Sequence, residues 1–174
     1  MSIKVSVYVP ALSGELLPKI VARFGDLGMQ CEFDPKFVAD PFSDASTVQV
    51  RLRINSSAIP QYENVDMLSG FEISFKDYRY ASPLAFSPTT NEKLKHCTKV
   101  AIVRMQAIPT SALRVGSYFA AFLAEQTDGV LYTPRSDRYI EGQQAVEQIK
   151  QEITTYETEL PRHDWKVVPF TAWS

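Results

Sequence analysis

The chain has little glycine, little cysteine and little histidine: 7 Gly, 2 Cys and 2 His in 174 residues, set against 11 Pro. Few glycines and many prolines argue for rigid connections and against a glycine-rich phosphate loop. Neither GxxxxGK[ST] nor GxGxxG occurs, and there is no GxSxG elbow. Cys31 and Cys97 lie far apart and read as two reduced, partly buried thiols, which suits a cytoplasmic protein. The opening MSIKVSVYVP lacks the apolar core of a signal peptide. No run approaches the roughly 20 apolar residues of a membrane span. No membrane partner is therefore expected.

Scarce histidine also narrows the chemistry. His163 is followed directly by Asp164, and neighbours on a strand face opposite ways, so no acid–base dyad is legible there. His96-Cys97 stands without a second ligand pair, and CxxC, HxH and HExxH are all missing. Nothing beside Cys97 supplies the base or lowered pKa a nucleophilic thiol needs. No catalytic residue, metal ligand or cofactor is assigned. With 20 acidic residues, a carboxylate pair for glycoside chemistry stays formally open.

Apolar residues make up 45% and charged residues 22%, ordinary globular usage in a length that suits one domain, residues 1–174. The net charge of −2 gives no global attraction to nucleic acid. Ile3 to Val9 alternates as a strand. Leu16, Leu17, Ile20, Val21, Phe24 and Leu27 have helical spacing over 14–27, with Ser13 as candidate N-cap and Gly28 as the stop. Met29 to Phe33 reads as a short strand, and 34–46, with two Asp-Pro steps, as a loop. Thr47 to Ile54 alternates most cleanly, and Gly70 to Phe75 is a further strand.

Residues 78–90 are proline-punctuated and aromatic, and 91–97 suit a helical turn. Val100, Ile102 and Val103 read as a buried strand. Pro109, Thr110 and Ser111 introduce a helix to about Gln126. The Asp128-Gly129 turn leads to a strand over 130–133. A last helix covers about 142–159, and the tail holds Trp165 and Val167 as a strand or arm. Residues 3–33 and 99–133 echo each other as two βαβ-type units. The expected fold is α+β: one mixed, mostly antiparallel sheet with about three helices largely on one face.

Charge is unevenly spread. From Asp26 to Asp77 there are nine acids against four bases; from Arg79 to Arg114 there are six bases against one acid. The basic stretch has no stacking pattern or motif for nucleic acid. In the acidic stretch, Asp34, Asp40, Asp44, Glu63 and Asp66 surround Phe37, Phe42 and Tyr62. Aromatic anchors ringed by charge are what a protein interface contains, so these eight residues form the candidate partner-binding set. The alternative is that the rings tuck into the core, since long loops often pack on their own apolar residues.

The run ALRVGSYFAAFLAEQTDGVLYTP, residues 112–134, resembles small bacterial α+β proteins in which an Ala-rich helix, an Asp-Gly turn and a Val-Leu-Tyr-x-Pro strand follow one another. Some of these are immunity proteins that neutralise toxins of contact-dependent or type VI secretion systems. The resemblance implies a single-domain, non-enzymatic bacterial immunity protein whose partner is a cognate toxin, blocked at its active site. It transfers no functional residue. An acidic face would suit a toxin with a basic cleft. Two other readings stay open. One is a small-ligand protein or enzyme built from His96, Cys97, Arg104 and Tyr118. The other is a subunit that self-associates through Thr47 to Ile54. The expected state is a monomer or weak dimer.

Overall fold

The alternation along the first strand seeds the architecture. The computed structural model describes residues 2–106 and 110–174. In β1 (Ser2–Val9), Val5, Val7 and Val9 are buried on one side, while Lys4, Ser6 and Tyr8 face the other. There follow α1 (Leu16–Asp26), β2 (Met29–Phe33), α2 (Pro35–Ala39), β3 (Ser46–Ile54), β4 (Met67–Asp77), α3 (Pro88–Lys95), β5 (Lys99–Gln106), α4 (Thr110–Thr127), β6 (Val130–Thr133), β7 (Arg138–Glu141) and α5 (Gly142–Glu159). The strands form one seven-stranded sheet in the order β2-β3-β4-β5-β1-β6-β7. Every ladder in it is antiparallel, so the α+β fold needs no mixed sheet.

The echo of two βαβ units resolves differently from its expectation. β1 and β2 are separated by β3, β4 and β5, and β5 and β6 flank β1 on either side. The described residues contain five α-helices where about three were expected. Of the two short ones, α2 lies in the 34–46 stretch read as a loop, while α3 takes in the helical turn expected over 91–97 and starts three residues earlier, at Pro88. A proline at the first helical position fits an N-terminus, and the preceding Asp34 and Ser87 cap the next turn. β7, only four residues long, carried no periodic signal and was missed.

The helix of 14–27 begins later than expected. Glu15 is its N-cap and makes no side-chain cap, while Ser13 accepts from Leu16 N–H only through its backbone carbonyl (3.2 Å). Gly28 does take the left-handed conformation, φ +74°. Pro109, expected to open the next helix, lies outside the described residues; α4 runs from Thr110.

α4 explains why its stripe is apolar all round. It packs against β1, β4, β5 and β6 below and against α1 and α5 beside it, and every residue from Thr110 to Ala124 is buried. Gly116 permits the close approach to the sheet: a Cβ there would sit 3.0 Å from Met105 Sδ. Phe119 centres an aromatic cluster, with ring centroids 4.7 Å from Phe71, 5.8 Å from Phe33, 6.2 Å from Phe42 and 6.3 Å from Phe37. Arg23 of α1 donates from Nε and Nη2 to Glu125 of α4 (2.8 and 3.1 Å), tying those helices together.

Candidate interaction surface

Registers decide which side chains share the face of the sheet turned away from α1, α4 and α5. Tyr8 pairs with Val100 and Val130; Ser6 pairs with Ile102 and Tyr132; Tyr132 pairs with Tyr139; Lys4 pairs with Arg104, which pairs with Glu72, opposite Thr47. Ile102, expected to be buried, belongs to this face and is half-exposed, while Ala101, Val103 and Met105 line the core. The second face is thus polar in the middle. At the β1–β6–β7 end it is aromatic.

Towards β2, charge is neutralised locally. Arg51 Nη2 donates to Asp66 Oδ2 (2.8 Å), Arg51 Nη1 lies 3.6 Å from Glu32 Oε2, and Arg53 Nη1 lies 3.5 Å from Asp66 Oδ1. The Arg51 guanidinium holds the Asp66 carboxyl below the usual carboxylate range. Segment 166–174 folds over this region. Val168 C=O accepts from Leu68 N–H (2.8 Å), Phe170 lies under the Arg51 guanidinium at 5.2 Å, and Trp173 packs edge-on against Phe170. Trp165 and Val167 pack against the core as part of this arm rather than as a strand.

The aromatic end is assembled from three separate pieces of chain, one of them the β6–β7 hairpin. Tyr8, from β1, meets Tyr78, just after β4, edge-on at 4.8 Å, and Tyr139 of β7 at 6.0 Å; Tyr132 of β6 meets Tyr139 at 4.6 Å. All four rings are half-buried. Burial first, and then the neighbouring Tyr139, pushes the Tyr8 hydroxyl up to about 12. Tyr132 Oη donates to Asp137 (2.9 Å). α3 packs against β6 and β7 at this end, where Val100 and Val130 are buried although they lie on the otherwise open face. Half-buried tyrosines offer flat apolar area, few rotatable bonds and a polar tip, the composition of protein contact surfaces.

The eight residues expected to bind a partner do not form one surface. Phe37, Phe42 and Tyr62 are core residues, with 5, 9 and 0% exposure, so they cannot act as surface anchors. Phe42 is held inside by Phe37, Phe75 and Phe119 even though its backbone takes φ +65°, a conformation that disfavours bulky side chains. Tyr62 Oη donates to the Lys166 carbonyl (3.1 Å). Asp34 is buried too: Oδ1 accepts from Phe37 N–H (2.9 Å) and Oδ2 from Gln49 N–H (3.0 Å), a cap that joins α2 to β3. Asp40 and Asp44 are exposed and line a shallow groove of about 400 Å³ whose wall also takes in Asp34 and Phe37, so four of the eight meet there while Phe42, Tyr62, Glu63 and Asp66 lie elsewhere. Glu63 accepts from Ser57 N–H, and Asp66 is the arginine partner described above.

The four polar residues of the small-ligand reading are also dispersed. His96 is exposed at the end of α3, Cys97 is buried after it, Arg104 lies on the open face, and Tyr118 is buried in α4 on the opposite side of the sheet. Burial pushes the Cys97 thiol up to about 11, away from the range of a reactive thiolate. Among the described residues, no three His, Cys, Asp or Glu side chains come together as a metal site requires, and no helix is long and apolar enough to cross a membrane. β3 is an internal strand, so the sheet edges left for self-pairing are β2 and β7. Comparison with known protein families, curated proteins and solved structures finds no match.

Proposed function

We propose that this chain is a non-enzymatic protein-binding module, and that it serves as an immunity protein which neutralises a cognate bacterial toxin by covering its active site. The observation that carries this reading is the row of half-buried tyrosines, Tyr8, Tyr78, Tyr132 and Tyr139, on the end of the sheet face turned away from α1, α4 and α5, where α3 packs. These rings lie outside the main core, which is on the other side of the same strands, and they stay half-exposed beside the small packed patch under α3. The short-motif resemblance of residues 112–134 supports the immunity role. The acids between Asp34 and Asp66 give it less support than their number suggests, because capping and arginine pairing already engage Asp34 and Asp66.

The test is co-expression with the product of the reading frame adjacent to its gene. Wild-type protein is expected to protect the cell and to purify as a stoichiometric complex. The Tyr132→Ala/Tyr139→Ala variant, folded by circular dichroism, is expected to lose about 30-fold or more in affinity. No complex and no protection with either flanking gene product rejects the immunity role. Undiminished binding by the tyrosine variant rejects this surface.

A further inference from the structure

Phe86 is the one large apolar side chain among the described residues that the fold leaves wholly outside, at 108% of its reference exposure. Its position makes this notable. Ser87 is the N-cap of α3, its Oγ accepting from Thr90 N–H, so Phe86 stands immediately before the cap. A hydrophobic residue there often packs back onto a second hydrophobic residue four places beyond the cap. In this chain the residue at that place is Asn91, whose side chain is engaged elsewhere. Asn91 Oδ1 accepts from Leu84 N–H (3.1 Å) and Ala85 N–H (3.0 Å), and Nδ2 donates to Ala85 C=O (2.7 Å). The loop is thereby braced, with Pro83 and Pro88 restricting it on either side. It holds Phe86 out, with Leu84 at 38% exposure beside it in sequence.

The flanking sequence is basic. Residues 76–99 carry five Lys or Arg against two acids. Among the described residues, Lys93, Lys95 and Lys99 have acidic partners, while Lys76 and Arg79 are exposed and have none. α3 packs against β6 and β7, so the loop belongs to the tyrosine end of the sheet. An isolated exposed phenylalanine adds nothing to folding, and one on a rigid loop loses little entropy on insertion into a pocket.

We propose that Phe86, flanked by Leu84, is the anchor of the contact surface and inserts into an apolar pocket with an acidic rim on the partner protein. This rests on the protein-binding reading and adds to it the anchoring residue and the partner's chemistry. The acidic rim follows from the unpaired Lys76 and Arg79. A protein pocket is favoured over a lipid surface because the apolar element is one ring and one leucyl side chain, well short of the apolar stripe of a membrane-lying helix.

The experiment places the photo-cross-linker p-benzoylphenylalanine at position 86, and separately at position 139 in the tyrosine cluster, in the full chain expressed in its host. The adduct is identified by mass spectrometry, and that protein, purified, is titrated with wild type, Phe86→Ala and Phe86→Trp. Support is a discrete adduct from position 86 at an acid-rimmed apolar pocket, about 30-fold or more weaker binding by Phe86→Ala at unchanged thermal stability, and binding retained by Phe86→Trp. An adduct from 139 but not from 86, or wild-type affinity for Phe86→Ala, overturns the anchor and leaves the protein-binding reading standing. No adduct from either position overturns both. Wild-type binding to phosphatidylserine–phosphatidylcholine vesicles that Phe86→Ala abolishes reassigns the loop to a lipid surface and overturns the protein pocket.

Discussion

Tyr8 occupies a polar position in an alternating strand, and its ring meets Tyr78, just after β4, and Tyr139 of β7. Burial and those neighbours favour the neutral phenol, so its hydroxyl is pushed up to about 12 from an ordinary value of 10.0. Because the folded value lies above the unfolded one, the folded state holds this proton more tightly. The associated stability is complete below pH 10 and is lost as pH rises towards about 12. Unfolding followed by urea across that window is expected to show a fall in stability, reduced in Tyr8→Phe. A stability that is flat from pH 10 to 12 in wild type would contradict this assignment of the Tyr8 environment.

Among the elements, α4 and α5 are joined by more than apolar packing. Arg114 Nε and Nη2 donate to Glu157 Oε1 and Oε2 at 2.8 and 2.5 Å, and Nη1 points to Met29 Sδ at 3.7 Å. The Glu157 side chain is 1% exposed and that of Arg114 is 11%. Removing one buried partner strands the other charge. Glu157→Gln is expected to cost about 3–5 kcal/mol, and replacing both residues together by Met and Leu to recover most of that loss. Urea unfolding of the single and double variants measures both effects; an equal loss in the double variant would show that the pair itself is favourable.

Elements with a long period were legible in the sequence, as were the short strands β2 and β6, each set off by a glycine turn, while α2 and β7 were not. The stripe of 142–159 and the alternation of 47–54 match α5 and β3 closely, because eight or more residues repeat one pattern. α2, α3 and β7 span five, eight and four residues and depend on caps and partners rather than on period. The candidate site was hidden for a related reason. Phe37 and Phe42 sit in a stretch that looks like an exposed loop, yet their rings join Phe119 across the chain. The tyrosine cluster exists only after three distant segments meet: β1, the chain just after β4, and the β6–β7 hairpin. Its faint trace in the sequence was Tyr8 itself, an aromatic ring on the polar side of a strand.

At the scale of the whole molecule, the placement of β1 governs how the fold is reached. β1 pairs along its entire length with β5, Val5 opposite Val103, and then with β6 on its other edge. The sheet cannot close until chain segments about a hundred residues apart meet, and loop closure of that length is slow. Refolding by stopped-flow mixing is expected on a time scale of milliseconds to seconds or longer, well behind helical bundles of similar size. Refolding completed within microseconds would show that the β1–β5 ladder forms outside the rate-limiting step.

The same strands that put Val5, Val7 and Val9 into the core put Tyr8 on the opposite face, and the pattern repeats where Leu131 and Tyr132 are neighbours. Core and contact surface are interleaved by odd and even position. Over evolutionary time, point substitutions at the outward positions can retune what the face recognises while the interior stays intact. A one-residue insertion or deletion within β1 or β6 has no such freedom, since it would exchange the two sets at a stroke. Lineages of this protein should therefore diversify by replacement inside these strands and accept length changes only in the loops between them.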